Sequence, residues 1–485
     1  MKLARLIIIT ILGFGLLLLL SLTLMSIVRA AEVDVKPSQN QPYPTQITAH
    51  QIEISTLTIT GEFDGDQYGE SVNSAGDVNN DGYADVIVGA FGFDANNNQG
   101  KVYVYLGSST GLTTTPVFTV IGETDGASLG RGAVGSAGDI NKDGYGDIII
   151  GAHGTNAHQG RVYVYYGNAT GITHTVVFSV SGENIGDEFA RSAAAAGDVN
   201  NDGYADVIVG ASGYNSLQGK IYSYYGSSSG LSATPDFTAT GVYTEFGRSV
   251  ATAGSVNCDE YADVVVGEPD ITGPVGKPAT AGTVYIYYGS STGLTSTGVS
   301  SVSGEAVGDK FGEVATSAGD VNGDGCDDVI VGARGYSSEQ GKIYVYHGSS
   351  SGLNTTPAFS ATVANIRGEI GSSVAPVGDV NKDGYDDVLV GARSFDAGSG
   401  VKQGMAYLYY GSSTGLTSTT VVTAAGENAD DQFGFAVNST GDVNGDGSPD
   451  IIIGASGYSN GSQLGKIYLY YGDAPFIYLP MVVKE

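Results

Sequence analysis

Short runs of apolar and aromatic residues, separated by polar turns, recur along most of this chain. Each unit begins with small residues, as in Ser71–Gly76, and continues after a polar loop with an apolar run such as Val86–Ala90. An alternating aromatic segment such as Val102–Tyr105 follows, and a fourth segment such as Val117–Ile121 completes the unit. None of these segments has the 3.6-residue period of an amphipathic helix, so the pattern predicts four short β-strands per unit.

Seven units of this kind follow one another, and four-stranded units that repeat radially are typical of a β-propeller. Small residues suit the strands nearest the axis, where neighbouring units crowd together. The seventh unit ends at its third strand, Ile467–Tyr471, whereas a strand-like segment, Glu53–Thr60, precedes the first unit. We therefore predict an all-β, seven-bladed β-propeller with four antiparallel strands per blade, in which the N-terminal strand completes the last blade and closes the ring.

Between its first and second strands, each unit carries a nine-residue acidic string, Asp-x-Asn-x-Asp-Gly-x-x-Asp, or a damaged copy of it. Subtraction of successive starting positions gives spacings of 57 to 65 residues, so the string marks the repeat. The damaged copy begins at Ser255. The six intact copies begin at Asp77, Asp139, Asp198, Asp320, Asp379 and Asp442.

The string supplies oxygen ligands at alternating positions, which is typical of a Ca²⁺ loop. In the first copy, Asp77, Asn79 and Asp81 can converge on one point, Tyr83 offers a backbone carbonyl and Asp85 closes the shell. A simple turn needs one Asx residue and one glycine, whereas three carboxylates would repel one another without a counter-ion. We predict about six Ca²⁺ ions, one in each intact loop. The predicted ligands are Asp77, Asn79, Asp81, Tyr83, Asp85, Asp139, Asn141, Asp143, Tyr145, Asp147, Asp198, Asn200, Asp202, Tyr204, Asp206, Asp320, Asn322, Asp324, Cys326, Asp328, Asp379, Asn381, Asp383, Tyr385, Asp387, Asp442, Asn444, Asp446, Ser448 and Asp450.

The damaged copy, Ser255–Asp263, lacks both the first carboxylate and the turn glycine. We predict that it holds no ion. The intact loops also differ from an EF-hand, because position 12 of the first copy is Val88 and apolar strands rather than helices flank the loop.

Two further motifs connect these units to a known family. A Phe-Gly pair precedes the first strand at Phe246, Phe311 and Phe433, with variants elsewhere, and a Gly-Ala pair such as Gly89 and Ala90 ends the second strand. The pattern resembles the FG-GAP repeat, the β-propeller of integrin alpha chains and its bacterial relatives, over about residues 53–473. The resemblance implies that the Asp loops share one face of the disc and that ligands bind the opposite face. The longest loops expected on that face are 268–281 and 393–403.

The resemblance favours a calcium-binding adhesion or protein-interaction module, with a protein or glycan ligand. A lectin-like propeller is the alternative, and a hydrolase-associated domain is a further one. The Gly-x-Ser-x-Gly pattern of hydrolases occurs at Gly226, but it recurs at the same hairpin of several units, so we interpret it as a turn and predict no enzyme. The recurring Tyr-x-Tyr strands favour packing over sugar stacking. The aromatic residues on variable loops, which would distinguish a lectin, are Phe91, Phe93, Tyr214, Tyr336, Phe395 and Tyr458.

The ends of the chain predict export. Residues 1–30 read as a signal peptide or an uncleaved N-terminal anchor, 31–52 as a polar linker and 474–485 as an apolar tail, so we expect a secreted or cell-surface monomer. The formal charge of −30 disfavours nucleic acid and anionic membranes as partners, leaving the anchor as the one expected membrane contact. Cys258 and Cys326 lie in the Asp loops of adjacent units. We expect free thiols, because the two loops are expected to lie further apart than the ~7 Å Cα limit for a disulfide.

Overall fold

The computed structural model describes residues 56–94, 98–269, 280–363, 367–396, 402–417, 421–459 and 463–472. These residues form seven four-stranded antiparallel sheets, which are the blades of a β-propeller, so the predicted fold is confirmed. We number the blades one to seven in the order of their first strands.

The strands of each blade follow one another from the first to the fourth position of the sheet, with blade seven as the exception. The first strands are Tyr68–Gly76, Val134–Gly138, Phe189–Gly197, Ser249–Gly254, Val314–Gly319, Ser373–Gly378 and Phe433–Gly441. The second strands are Asp85–Ala90, Asp147–Ala152, Asp206–Ala211, Asp263–Glu268, Asp328–Ala333, Asp387–Ala392 and Asp450–Ala455. The third strands are Lys101–Tyr105, Arg161–Tyr165, Lys220–Tyr224, Thr283–Tyr287, Lys342–Tyr346, Met405–Tyr409 and Lys466–Tyr470. The fourth strands of blades one to six are Phe118–Ile121, Phe178–Ser181, Phe237–Thr240, Ser300–Ser303, Phe359–Ala361 and Val421–Ala425.

The N-terminal strand completes blade seven, as predicted. Thr56–Thr60 pairs antiparallel with Lys466–Tyr470, with Thr56 opposite Tyr470 and Thr60 opposite Lys466. Leu57 and Ile59 pack on a buried cluster that blades one and seven share. The two ends of the repeat array are therefore joined in one sheet, which covers the edge that the third strand would otherwise expose.

Small residues allow the first strands to form the centre of the ring. The first strand of each blade contacts the first strands of the blades on both sides, and blade seven contacts blade one in the same way. At Gly89, the last but one residue of the second strand of blade one, a Cβ atom would collide with the carbonyl oxygen of Gly130 in blade two. Gly454 and Gly69 make the equivalent approach where blade seven meets blade one. The Gly-Ala and Phe-Gly motifs thus permit the backbones of adjacent blades to meet.

The core lies between neighbouring blades. All residues of the second strands are buried, as in Asp85–Ala90 and its equivalents. In five blades the aromatic residue of the Phe-Gly motif packs edge-on against the first tyrosine of the third strand, with ring centroids 5.0 to 5.6 Å apart, as for Phe433 and Tyr468. The tyrosines of the Tyr-x-Tyr strands therefore pack within the blades, which agrees with the interpretation of these strands from the sequence.

Short irregular elements complete the described residues. Four-residue helical turns, each containing left-handed backbone, occur at Thr155–His158, Tyr214–Leu217 and Tyr336–Glu339. A two-stranded hairpin pairs Gly167–Asn168 with Gly171–Ile172. Within the residues that the structure describes, no helix has the length and apolarity needed to cross a membrane.

The cysteines form a disulfide, so the expectation of free thiols was wrong. Cys258 and Cys326 are bonded, with their Cα atoms 4.7 Å apart. Cys258 occupies position 4 of the damaged loop, and Cys326 occupies position 7 of the next loop. The same two positions touch at another junction, where Gly323 lies against the ring of Tyr385. Adjacent loops therefore approach one another more closely than the sequence suggested.

We expect the disulfide to stabilise the ring, because it joins blades four and five across a separation of 68 residues. Replacement of Cys258 by serine should lower the free energy of unfolding by about 2–4 kcal/mol, measured by denaturant titration. Reducing agent should have the same effect on the wild type and none on Cys258→Ser. Equal stability of the oxidised and reduced wild type would contradict this role.

Several predictions fall outside the described residues. These are the signal peptide or anchor at 1–30, the linker at 31–52, the start of the N-terminal strand at 53–55 and the tail at 474–485. The longest expected ligand loops are described only at their ends, because 270–279 and 397–401 lie outside the described ranges.

Candidate metal centre

The two faces of the propeller lie at opposite ends of the second strands. Each second strand begins with the ninth aspartate of the acidic string and ends with the Gly-Ala pair, as in Asp85–Ala90, or with Gly267 and Glu268 in blade four. Because six residues of extended chain span roughly 20 Å, the Asp loops and the Gly-Ala pairs are well separated. We call the two sides the Asp-loop face and the Gly-Ala face. The Gly-Ser-Ser turns that follow the third strands also lie on the Asp-loop face, because Gly107 N–H donates to Asp85.

Within the first loop, the carboxylate of Asp77 organises the backbone. Its Oδ1 accepts the N–H of Asp81 at 3.0 Å, and its Oδ2 accepts the N–H of Gly82 at 2.8 Å. Oδ1 of Asp81 accepts the N–H of Tyr83 at 3.0 Å, and its Oδ2 accepts the amide N–H of Asn79 at 2.9 Å. Gly82 has a φ of 89°, which explains why glycine stands at this position.

The other five intact loops have the same geometry. Their first aspartates accept the N–H of position 5 at 2.9 to 3.1 Å and that of position 6 at 2.7 to 2.9 Å. In the loops of blades five and seven, a glycine at position 4 also donates its N–H to the first aspartate, Gly323 to Asp320 and Gly445 to Asp442. One nine-residue pattern thus folds six times into one loop shape.

The ninth aspartate has a structural role that the sequence analysis missed. In all seven blades it is fully buried, and each of its oxygens accepts a backbone N–H. One donor is position 2 of its own loop, at 2.8 to 3.1 Å. The other is the glycine after the third strand, at 2.7 to 3.0 Å. The sequence did carry a signal of this structural role: the damaged copy keeps Asp263 at position 9 although it has lost the first aspartate.

Burial dominates the electrostatics of this residue. It raises the pKa of Asp85 to about 7 and that of Asp328 to about 8, although two backbone N–H donors favour the ionised form. The nearby first and fifth aspartates of each loop raise these pKa values further. A bound cation would act in the opposite direction and favour the carboxylate.

The loop aspartates have no basic partner among the described residues. Every ion pair that the described part of the chain contains joins a lysine or arginine to a glutamate. Each intact loop nevertheless places at least three aspartates within nine residues. No ion pair in the described part of the chain therefore neutralises the charge of these loops.

The donor set of the loops fits a hard cation. Aspartate oxygens, an asparagine oxygen and a backbone carbonyl at position 7 are ligands that Ca²⁺ prefers, and a carboxylate oxygen that accepts one N–H keeps a second lone pair. In the described residues no three His, Cys, Asp or Glu side chains are already gathered around one point. Asp77 and Asp81 instead orient their carboxylates toward backbone N–H groups of the loop. A Ca²⁺ ion would use the lone pairs that these N–H groups leave free.

The damaged loop keeps its shape by other means. The hydroxyl of Ser255 donates to the carbonyl oxygen of Asp259 at 2.7 Å, in place of the missing carboxylate. Asp259 still accepts the N–H of Tyr261 at 2.8 Å. This loop has lost a potential ligand but retains its fold, and Cys258 within it forms the disulfide to the next loop.

Five of the six aromatic candidates for sugar stacking lie against a lysine or an arginine. The ammonium groups of Lys101, Lys220, Lys342 and Lys466 lie 4.7 to 5.0 Å from the ring centroids of Phe93, Tyr214, Tyr336 and Tyr458. Arg131 lies 4.4 Å from the ring of Phe91, and Phe395 packs edge-on against Tyr407. Each lysine is also paired with a glutamate of the loop before the Phe-Gly motif. These rings are part of the internal structure of the blades.

The Gly-Ser-Ser turns are structural as well. In blade three, the hydroxyl of Ser227 donates to the carbonyl oxygen of Gly230 at 2.7 Å. Equivalent bonds are made by Ser108, Ser290, Ser349 and Ser412. The serine that precedes the central serine of the Gly-x-Ser-x-Gly pattern thus closes the same turn in five blades, which gives the recurring pattern a structural role.

Comparison with known proteins agrees with the repeat geometry. A model of the FG-GAP repeat matches residues 68–105, 131–165, 189–224, 314–346, 370–409 and 433–470. The chain therefore carries six FG-GAP repeats. The stretch between the third and fourth of these matches contains blade four, which carries the damaged loop.

The curated relatives include integrin alpha chains. Integrin alpha-5 of Xenopus laevis is 32% identical over 227 residues, covering 44% of this chain and 20% of that protein. Integrin alpha-8 of Gallus gallus is 29% identical over 274 residues, covering 53% of this chain and 26% of that protein. The chain thus spans about a fifth of the length of the first relatives it matches. Among solved structures, Sqt1 of Chaetomium thermophilum aligns over 85% of this chain and 88% of its own, with a TM-score of 0.46 and 14% identity.

Proposed function

We propose that this FG-GAP protein is an extracytoplasmic, calcium-binding interaction module that acts in adhesion or in protein recognition. Its similarity to integrin alpha chains supports a binding function rather than catalysis. About six Ca²⁺ ions are proposed, one in each intact Asp loop. We propose a secreted or cell-surface monomer, in which the ions are structural and a protein ligand binds the Gly-Ala face.

The acidity of the intact loops is the observation that carries this proposal. Six loops of one geometry cluster their aspartates on one face, and the ion pairs of the described residues leave those aspartates unneutralised. Divalent cations would neutralise that charge and stabilise each loop. Extracellular Ca²⁺ modules bind at roughly 10⁻⁴–10⁻³ M, which suits a protein that works outside the cell.

The Gly-Ala face offers apolar surface to a partner. Phe63, Ile185 and Val307 lie on the loops that precede the Phe-Gly motifs, and they are 60%, 68% and 64% exposed. These loops contact the loops that follow the Gly-Ala pairs, for example where Gly92 N–H donates to the carbonyl oxygen of Asp66. Exposed apolar side chains on one face favour a protein ligand, whereas four of the six candidate sugar-stacking rings lie against lysines.

The proposal is tested by capture of extracellular proteins and whole cells on immobilised protein comprising residues 31–485. Val307→Glu places a charge on the Gly-Ala face, and Thr110→Glu places the same charge on an exposed turn of the Asp-loop face. We expect Val307→Glu to weaken capture at least about tenfold, because it puts a charge into a desolvated apolar contact, and Thr110→Glu to leave it unchanged. Equal effects of both variants would refute the assignment of the face. Binding to a glycan array without protein capture would favour the lectin alternative.

A further inference from the structure

A polar cavity opens at the centre of the Gly-Ala face. It has a volume of about 420 Å³ and lies within the ring of first strands. Its lining comes from residues just after the Phe-Gly motifs, such as Arg191, and just after the Gly-Ala pairs, such as His153. The sequence scatters these residues over the repeats, and the ring brings them around one axis.

Arginine is concentrated in this cavity. The whole chain carries nine arginines and a net charge of −30, yet five of the nine line this one cavity. Two glutamates, Glu70 and Glu313, also line it. A strongly acidic protein therefore presents cationic side chains to solvent at the centre of its Gly-Ala face. The five arginines are Arg131, Arg191, Arg248, Arg334 and Arg393.

The arginines of one half of the cavity are fixed by a continuous chain of ion pairs. Arg334 bonds Glu313 at 2.6 Å and Glu369 at 3.1 Å, and Arg393 bonds Glu369 at 2.7 Å. Arg393 also lies 5.2 Å from the ring centroid of Phe435. This half is closely paired.

The arginines of the other half are held more loosely. Arg131 contacts Glu70 at 3.3 Å through Nε, and Arg191 contacts Glu188 at 3.2 Å through one terminal nitrogen. Arg248 contacts Glu245 at 3.2 Å and Glu313 at 3.3 Å through its two terminal nitrogens, so it also touches the paired half. A guanidinium has five N–H donors in a planar fork, so these three arginines keep donors for a further acceptor. We call this half, defined by Arg131, Arg191 and Arg248, the arginine arc.

A buried polar atom beside the arginine arc also has no partner. His153 lines the cavity and is only 3% exposed, and its Nδ1 makes no hydrogen bond within the described residues. Burial, reinforced by Arg191, Arg131 and His158, lowers the pKa of His153 to about 3, so the imidazole is neutral. A buried nitrogen without a partner is costly, and it points to an acceptor or donor that completes the site.

We propose that the arginine arc binds a carboxylate group, presented by an acidic side chain of a partner protein that docks on the Gly-Ala face. Planar guanidinium groups match a carboxylate through paired hydrogen bonds. A singly charged group suits the cavity better than a phosphate dianion, because Glu70 and Glu313 also line it. The exposed apolar residues Phe63, Ile185 and Val307 on the same face favour a protein as the source of the carboxylate.

The inference rests on the proposed interaction function but is tested separately from it. The probes are acetyl-Gly-Glu-Gly-amide, its Gln counterpart, and free glutarate, each titrated by saturation-transfer NMR against the full chain in calcium. We expect the Glu peptide to bind at least about tenfold more tightly than the Gln peptide, because a hydrogen-bonded charge is lost in the latter. Equal binding of the two peptides would overturn the proposal. Glutarate that binds more tightly than the Glu peptide would overturn the protein source.

Matched variants locate the site. Arg191→Gln should weaken binding of the Glu peptide about tenfold, since it removes one charged donor group. Arg161→Gln removes the same charge from the third strand of blade two, outside the cavity, and should change binding less than about twofold, because an exposed charge is largely screened. Equal effects of the two variants would overturn the proposal. If Arg191→Gln does not reach the melting temperature of the wild type, Arg131→Gln replaces it, because the Arg131 side chain is 43% exposed.

The outcomes also separate this inference from the proposed function. If intact protein captures partners but the Glu and Gln peptides bind alike, the module binds by another surface and the arginine arc is wrongly assigned. If the Glu peptide binds as expected but the immobilised protein captures neither proteins nor cells, the carboxylate site stands and the adhesion function fails.

Discussion

Deletion of residues 53–60 is expected to destabilise the whole ring rather than trim a terminus. Thr56–Thr60 pairs over its full length with the third strand of blade seven, and Leu57 and Ile59 pack on the cluster that joins blades one and seven. Each backbone hydrogen bond lost costs about 1 kcal/mol, and exposed apolar surface adds to this. We expect unfolding at a clearly lower temperature, or aggregation through the exposed edge of Lys466–Tyr470.

Two controls make the closure experiment specific. Deletion of residues 33–46 should leave the melting temperature unchanged, because those residues precede the predicted closing strand. Ile59→Asp should destabilise more than Thr58→Asp, since Ile59 packs on the core whereas Thr58 is exposed. If the two deletions melt alike and the protein stays monomeric, the N-terminal strand is not what closes the ring.

Removal of calcium is expected to have the second large effect. We predict about six ions per chain in protein equilibrated with calcium, measured by metal analysis, and a lower melting temperature in chelator. At a free calcium concentration of a hundred times the Kd, one site adds about 2.7 kcal/mol to the free energy of unfolding, and the contributions of several sites add up. Asp324→Ala, which alters one loop, should lower the melting temperature less than chelation does. Finding no more than one calcium per chain, or an unchanged melting temperature in chelator, would contradict the prediction.

The damaged loop provides a control for this experiment. Asp263 makes the same two backbone hydrogen bonds as the other ninth aspartates but belongs to the loop without a predicted ion. Asp263→Ala leaves two buried N–H groups unpaired, at about 1–3 kcal/mol each. We expect this loss to be the same in calcium and in chelator, whereas the loss from Asp324→Ala should be larger in calcium than in chelator, where only its hydrogen bond to Cys326 N–H is lost. A calcium-dependent effect of Asp263→Ala would show that the damaged loop also binds the ion.

The sequence alone determined the architecture because its signals are local and repeated. The period of the acidic string fixed the number of blades, and the four strand types fixed their order. The surplus strand at the N-terminus and the missing strand at the C-terminus indicated closure, which the pairing of Thr56 with Tyr470 confirms. Turn glycines such as Gly82 were readable because a left-handed backbone leaves few alternatives.

Only the tertiary structure decided what lies next to what across blades. Cys258 and Cys326 meet because position 4 of one loop contacts position 7 of the next. The repeat spacing along the sequence does not reveal how far apart two such positions lie in space. The second hydrogen bond of Asp85 comes from Gly107 N–H in the Gly-Ser-Ser turn after the third strand. The acidic string alone could not predict this bond, because its donor lies outside the string. The arginine arc exists because three blades direct their residues after the Phe-Gly motif toward one axis. Repetition specifies the unit, whereas radial packing specifies the contacts between units, and the proposed carboxylate site depends on those contacts.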